Sequence, residues 1–229
     1  RKLKKYVDDV SRIIFQNIDG KKILFEGAHG TFLDANFGTY PYTTAVNTIS
    51  GSVFSNTGIP PRKISVLGIV KSYTTRVGGG PFPAELNNET GNRLQEKGDE
   101  YGTVSKRKRR CGWLDFTMLR MAHRLNGFDH LAVTKLDVLS GFKKLKIVDY
   151  YRLRGKKIRE FPISLKDLTK LKPVYMELPG WLENISSVRQ FSKLPKNCQV
   201  YIQTIENALN IPVKYVSVGA ERNAIIIRQ

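Results

Sequence analysis

The sequence predicts an α/β protein with a mixed sheet flanked by helices. Three observations predict it. Segments with apolar residues at helical spacing alternate with short runs rich in β-branched residues. Loops bearing glycine and proline sit at the ends of those runs. No internal repeat or low-complexity linker interrupts the alternation, so no domain boundary is drawn within residues 1–229.

The elements follow in order. Leu3, Tyr6, Val7, Val10, Ile13 and Ile14 recur at helical spacing and predict an amphipathic helix over 2–17. Residues 22–25 read as a buried strand running into the loop Glu26-Gly27-Ala28-His29-Gly30. Residues 64–76 are apolar and β-branched and predict one strand, broken by Gly78, Gly79 and Gly80 and then by Pro81 and Pro83. Asp115 can cap a helix through Leu125, with Leu119, Ala122 and Leu125 on one face and Gly127 as its stop. Residues 130–134 predict a strand, and 144–153 with 157–161 a hairpin around Gly155. A strand over 174–178, a helix over 196–209 and strands over 213–217 and 223–228 complete the chain. The unusual residues lie in loops at strand ends, where open α/β sheets place ligands.

Composition narrows the function. A chain of 229 residues can bury a sizeable core, and 41% hydrophobic residues exclude disorder over the whole length. No apolar run is long enough to cross a bilayer, so no membrane-spanning segment is expected, and no membrane partner is assigned. Cys111 and Cys198 are the only cysteines and form no Cys-x-x-Cys, which fits reduced thiols and a cytoplasmic location. His29, His123 and His130 share no metal-ligand spacing. The chain opens on Arg1 rather than Met, so a longer protein is expected and a targeting signal is neither ruled in nor out. The net charge of +18, from 38 basic and 20 acidic residues, favours anionic partners: nucleic acid, a membrane surface or phosphorylated small molecules.

Five constellations carry candidate chemistry. In Glu26-Gly27-Ala28-His29-Gly30-Thr31, small residues free the His29 ring and let a ligand approach the backbone; a plain tight turn is the ordinary reading of the spacing alone. Asn36-Phe37-Gly38-Thr39-Tyr40-Pro41-Tyr42-Thr43-Thr44 is a stiff path whose threonine hydroxyls can donate to phosphate, or an aromatic packing loop. Lys106-Arg107-Lys108-Arg109-Arg110 is a run of five cations. It reads as a nucleic-acid patch, as a substrate loop for small anions, or as a solvated charged loop. Thr134-Lys135-Leu136-Asp137 lies at a strand end, where a carboxylate can accept from guanine N1–H and its 2-amino group while a lysine stem lies over the ring. A surface ion pair is its ordinary alternative. Ser217-Val218-Gly219-Ala220 is a small-residue turn able to close over a planar base, or simply a turn.

Order and content together say more than any one motif. Glu26-Gly27-Ala28, Phe37-Gly38-Thr39-Tyr40-Pro41-Tyr42, Thr75-Arg76-Val77-Gly78 with Gly80-Pro81-Phe82-Pro83, Arg107-Lys108-Arg109-Arg110-Cys111-Gly112-Trp113-Leu114-Asp115 and Thr134-Lys135-Leu136-Asp137-Val138-Leu139 closely resemble adenylosuccinate synthetases. Leu178-Pro179-Gly180-Trp181 and Gly219-Ala220-Glu221-Arg222 extend the likeness from about residue 22 almost to the C-terminus.

The resemblance implies the C-terminal portion of a larger, P-loop-like single-domain ligase that forms a C–N bond on the way to AMP. GTP phosphorylates the 6-oxygen of IMP, aspartate displaces that phosphate, and Mg2+ assists. It implies His29, Thr44, Val77 and Arg107 as IMP contacts. It implies Thr103, Val104, Ser105, Lys106, Arg107, Lys108 and Arg109 as the aspartate loop. Arg109, Lys135, Leu136, Asp137, Ser217, Val218 and Gly219 fall at GTP-binding positions. It further implies a cytoplasmic homodimer whose partner subunit contributes to the IMP site. The family's glycine-rich phosphate loop and catalytic histidine have no counterpart in residues 1–21. No catalytic residue and no Mg2+ ligand is therefore assigned here, and the 229-residue chain by itself is expected to be inactive.

Several positions depart from the family pattern. His29 stands for an amide, Asn36 for an acid, Ala45 and Val46 for serines, and Val104-Ser105-Lys106 for Thr-Thr-Gly. The competing expectation is a basic nucleic-acid-binding module built from a truncated synthetase. It explains the charge but gives residues 134–137 and 78–83 no task, and aromatics do not interleave with the basic run. Nucleic acid is therefore not the expected partner.

Overall fold

The computed structural model describes residues 2–102 and 106–228. The chain divides into two compact units, residues 1–65 and 66–229.

The first unit is mostly irregular. The predicted helix over 2–17 resolves into a 3-10 turn, Lys4–Tyr6, and α1, Val10–Asn17. The break follows from Asp9, whose carboxylate accepts from the Arg12 N–H and caps α1. Residues 22–25 form no strand: among the described residues they pair with no neighbour, and Leu24 is 91% exposed. An apolar run without a ladder partner keeps its backbone groups for water and so remains loop. Further on, α2, Ser52–Thr57, ends at Gly58 in the left-handed region.

The second unit holds the sheets and the core. The predicted strand over 64–76 is two strands, β1 (Leu67–Lys71) and β2 (Thr74–Arg76), which join different sheets. The turn between them is fixed by Ser72, whose N–H donates to the Thr134 carbonyl and whose carbonyl accepts from the Tyr201 hydroxyl. Helix α3, Glu89–Lys97, starts at an Asn88 cap and was not anticipated. Strands β3 (Arg110–Gly112) and β4 (Leu114–Asp115) lead into α4 (Phe116–Asn126). As expected, Asp115 caps α4, accepting from Thr117 and Met118 N–H, and Gly127 ends it in the left-handed region.

The remaining strands and the last helix lie near their predicted places. They are β5 (His130–Thr134), β6 (Lys144–Leu153), β7 (Lys156–Ile158), β8 (Lys172–Pro179), α6 (Lys196–Leu209), β9 (Val213–Ser217) and β10 (Ile225–Ile227), with a short helix α5 (Leu165–Leu168) between β7 and β8. However, β7 stops three residues short of its expected end, and α5 was not anticipated. The hairpin turns through Arg154 and Gly155, both at positive φ.

The main sheet runs β1-β5-β9-β10. β1, β5 and β9 are parallel, and β10 is antiparallel to β9, so the sheet is mixed as predicted. β6 pairs with β4, β7 and β8 in a second sheet, and β2 pairs with β3. Helix α6 buries Cys198, Tyr201, Ile202, Ile205 and Leu209, one face at helical spacing. With Leu131, Val133, Leu136 and Val216 these form one apolar core. Each such side chain contributes about 1.5–3 kcal/mol relative to exposure. The sheet is thereby held rigid where its parallel strands end.

Candidate functional site

Three parallel strands end side by side. Lys71 on β1 is in register with Thr134 on β5, and Val133 on β5 with Val216 on β9. The loops after β5 and β9 are therefore neighbours, which brings the predicted residues 134–137 and 217–219 together.

After β5 the chain bends sharply. Lys135 takes a left-handed conformation, φ 59°, and its carbonyl accepts from the Ser72 hydroxyl at 2.7 Å. This places Leu136 in the core and leaves Asp137 half-buried in a short 3-10 turn. Among the described residues, no hydrogen bond or ion pair engages the Asp137 carboxylate, so both of its oxygens can accept from a ligand. After β9, the Ser217 hydroxyl donates to the Gly219 carbonyl at 3.0 Å and Val218 is fully buried. The turn thus offers backbone and a small surface, not bulky side chains.

The basic run is not a row of equivalent cations. Arg110 is clamped by Glu85 through Nε at 2.7 Å and a second, shorter contact through Nη2, and donates to the Gly80 carbonyl at 2.9 Å. The Glu85 hydrogen bonds hold the Arg110 guanidinium charged even more firmly than usual. Arg109 Nη1 donates to Glu100 Oε2 at 2.8 Å. Lys106, Arg107 and Lys108 are exposed. Thr103, Val104 and Ser105 lie outside the described residues. Lys106 has φ 53°, the left-handed region that favours the glycine expected here, and its N–H donates to the Gly102 carbonyl at 2.9 Å.

Glu100 was missed from the sequence. It is fully buried. Lys71 Nζ donates to both carboxylate oxygens, at 2.7 and 2.8 Å, and the Tyr73 hydroxyl donates to Oε1 at 2.6 Å. Lys135 Nζ lies 3.8 Å from Oε1 and donates to the Gly98 carbonyl. Burial opposes ionisation of Glu100, yet the hydrogen bonds from Lys71, Tyr73 and Arg109 hold its carboxyl below the usual range. Burial in turn lowers Lys71 and raises Tyr73. One carboxylate thus faces three cations, and the strand ends keep an excess of positive charge suited to an anion. The available signal was an acidic pair between glycines, Gly98-Asp99-Glu100-Tyr101-Gly102, upstream of the five cations.

Val77, after β2, is 47% exposed. In the first unit His29 is exposed at φ 60°, and the Thr44 N–H donates to the Leu33 carbonyl at 2.8 Å. The loop carrying Thr44 is organised by buried Asp34. Its carboxylate accepts from the N–H groups of Asn36 (2.8 Å), Phe37 (3.0 Å), Thr48 (2.5 Å) and Ile49 (3.2 Å).

The adenylosuccinate synthetase family model matches residues 1–226. The chain belongs to the adenylosuccinate synthetase family. An adenylosuccinate synthetase from Desulfatibacillum aliphaticivorans is 49% identical over 229 residues, covering 99% of this chain and 53% of the relative. One from Carboxydothermus hydrogenoformans is 51% identical over 227 residues, with 98% and 53% covered. The solved structure of fully ligated adenylosuccinate synthetase from Plasmodium falciparum superposes with a TM-score of 0.97 at 42% identity, over 100% of this chain and 55% of its own. A cyanophage S-2L succinoaminodeoxyadenylate synthetase shares the fold, with a TM-score of 0.57 at 19% identity. The chain thus spans about half the length of the curated relatives it matches. The family is one of ligases, and the mixed α/β fold is the family's. No helix among the described residues is long and apolar enough to cross a membrane.

Proposed function

We propose that this chain supplies guanine, aspartate and part of the IMP recognition of a cytoplasmic, homodimeric adenylosuccinate synthetase. The observation that carries the reading is the Asp137 carboxylate, which no hydrogen bond or ion pair engages among the described residues, at a parallel strand end beside the turn at 217–219. Guanine presents two adjacent N–H donors to such a carboxylate, and adenine presents none in that arrangement. A half-buried acceptor left unmatched by the wrong base is costly, so the site discriminates.

Arg109 is proposed for the substrate carboxylate and the GTP side, and the aspartate loop is 103–109. His29, Thr44, Val77 and Arg107 are proposed as IMP contacts. The ligation activates before it displaces. GTP passes its γ-phosphoryl to the 6-oxygen of IMP, and the aspartate amine then attacks C6 and expels phosphate. The purine oxygen leaves poorly until phosphorylated, and the cations at the strand ends stabilise negative charge as it develops.

The Mg2+ that assists the reaction is assigned no ligand among these 229 residues. Among the described residues no three of His, Cys, Asp and Glu gather to hold a metal ion, and the Glu100 carboxylate is already occupied by Lys71, Tyr73 and Arg109. No step is assigned here through the ion, and the isolated 229 residues are proposed to bind nucleotide without turnover.

Calorimetry of GDP and ADP on this chain tests the reading. GDP is expected to bind about a hundredfold more tightly than ADP, and Asp137→Asn to erase the preference. Equal binding of the two nucleotides by the folded chain would overturn it. Adenylosuccinate formation by the longest polypeptide the gene encodes, with GTP but not ATP, tests the whole reaction, and sedimentation of that polypeptide tests the dimer.

A further inference from the structure

We propose that Glu100 is a positioning residue for the nucleotide and aspartate sites, holding Arg109 on one carboxylate oxygen and Lys135 by the other. This rests on the assignment of Arg109 and Lys135 given above and adds a residue outside the motifs that carry it.

The geometry is specific. Arg109 takes Oε2 at 2.8 Å, while Lys135 approaches Oε1 at 3.8 Å. Lys71 spans both oxygens, at 2.7 and 2.8 Å, and Tyr73 donates to Oε1 at 2.6 Å. The carboxylate therefore has no rotational freedom left, and neither cation can move far without losing its counter-charge.

The backbone reinforces this. The Glu100 carbonyl accepts from the Arg109 N–H at 2.8 Å, so one residue anchors the main chain and the side chain of Arg109. The Glu100 N–H in turn donates to the Gln95 carbonyl at 2.9 Å, at the end of α3. The basic run is thus fastened to a helix through Glu100 and through the Gln95 side-chain amide, which donates to the Arg109 carbonyl at 3.0 Å, and Glu100 also forms an ion pair with the lysine after β5. Arg109 and Lys135 belong to segments 26 residues apart in sequence, which Glu100 ties together.

A long basic side chain loses freedom when it meets a ligand, and a group fixed beforehand loses less. Three cations around one acid would otherwise repel. The arrangement therefore keeps two of them aimed at the strand ends while leaving Asp137 to choose the base. Affinity and selectivity then separate. Glu100 sets how tightly a nucleotide binds, and Asp137 sets which one.

The test is calorimetry of GDP and ADP on the wild-type chain and on Glu100→Gln, Glu100→Asp and Tyr73→Phe, with folding checked by circular dichroism. Glu100→Gln is expected to weaken both nucleotides about tenfold. The GDP-to-ADP ratio is expected to stay at the wild-type value. Glu100→Asp, which keeps the charge but draws it back by one methylene, is expected to fall in between. Tyr73→Phe removes a hydrogen bond to the same carboxylate without freeing either cation, and is expected to bind as wild type.

Folded Glu100→Gln with unchanged affinity would overturn the proposal. So would equal weakening in Tyr73→Phe, which would mark the cluster as scaffold only. If Glu100→Gln does not fold, Glu100→Asp against Tyr73→Phe decides in the same way. A wild-type chain that shows no GDP preference would instead count against the guanine reading. In the longest polypeptide the gene encodes, Glu100→Gln is expected to raise the aspartate KM through Arg109, with a smaller change in kcat.

Discussion

Two segments that look alike in sequence end up differently. Residues 22–25, Lys-Ile-Leu-Phe, and β5, His-Leu-Ala-Val-Thr, both read as buried strands. In the second unit β5 lies between β1 and β9, and Leu131 is fully buried. In the first unit residues 22–25 pair with nothing among the described residues, and Leu24 is 91% exposed. An apolar run is thus an offer of a strand, and neighbours decide whether it is taken up. The same contrast separates the two buried carboxylates. Asp34 is satisfied mainly by backbone N–H groups and fixes a loop path. Glu100 is satisfied by two cations and a phenol and fixes side chains.

The largest expected effect comes from breaking the side-chain hub. Glu100→Ala leaves Lys71, Arg109 and Lys135 facing one another and is expected to cost about 3–5 kcal/mol in urea unfolding. The pH dependence follows from the direction of the shift. Glu100 ionises below its ordinary value of 4.5, so its contribution is present above that value and is lost as pH falls through and below it. Melting temperature against pH is expected to drop on the acid side of about pH 5 in the wild type. It should drop less steeply in folded Glu100→Gln, where the titrating group is gone.

Next is the core strand. Leu131→Ala in β5 opens a cavity between β1, β9 and α6 and is expected to cost about 3 kcal/mol by the same measurement. A cost below 1 kcal/mol would mean that the parallel sheet relaxes around the gap and does not hold the strand ends rigid.

The backbone hub ranks third. Asp34→Ala strands the N–H groups of Asn36, Phe37, Thr48 and Ile49 and is expected to cost about 2 kcal/mol. Water can reach part of that loop, which is why the cost is smaller than at Glu100. Faster hydrogen exchange at those four amides is the direct reading. Burial opposes ionisation of Asp34 as well, but the four donors outweigh it and its carboxyl stays below 3.8. Its contribution therefore also fades as pH falls below that value.

These differences explain what was legible in the sequence. Asp115 and Gly127 announced α4 because a cap and a left-handed stop are local signals. The extents of α6 and β9 were readable from periodicity. The split of 64–76 into β1 and β2 was not, because it depends on Tyr201 and Thr134, both more than 60 residues away, bonding Ser72. The motifs named Lys135, Asp137 and Arg109, which lie on loops with distinctive composition. Glu100 escaped because two adjacent acids between glycines carry no pattern, and its meaning comes from three cations gathered by folding. Lys106 was read as standing where the family has glycine, and its φ of 53° lies in the left-handed region that glycine favours.

The smallest expected effect is the sharpest check on the opening contrast. Leu24→Ser removes the central side chain of the predicted strand. Were that strand packed like β5, the cost would approach that of Leu131→Ala. With Leu24 in solvent, little apolar surface is lost, and the 229-residue chain is expected to change by less than about 0.5 kcal/mol. A cost near 3 kcal/mol would place Leu24 in a packed environment and return residues 22–25 to the class of β5. The pair of substitutions thus measures one property twice: how much of an apolar run's stabilisation depends on its neighbours rather than on its own residues.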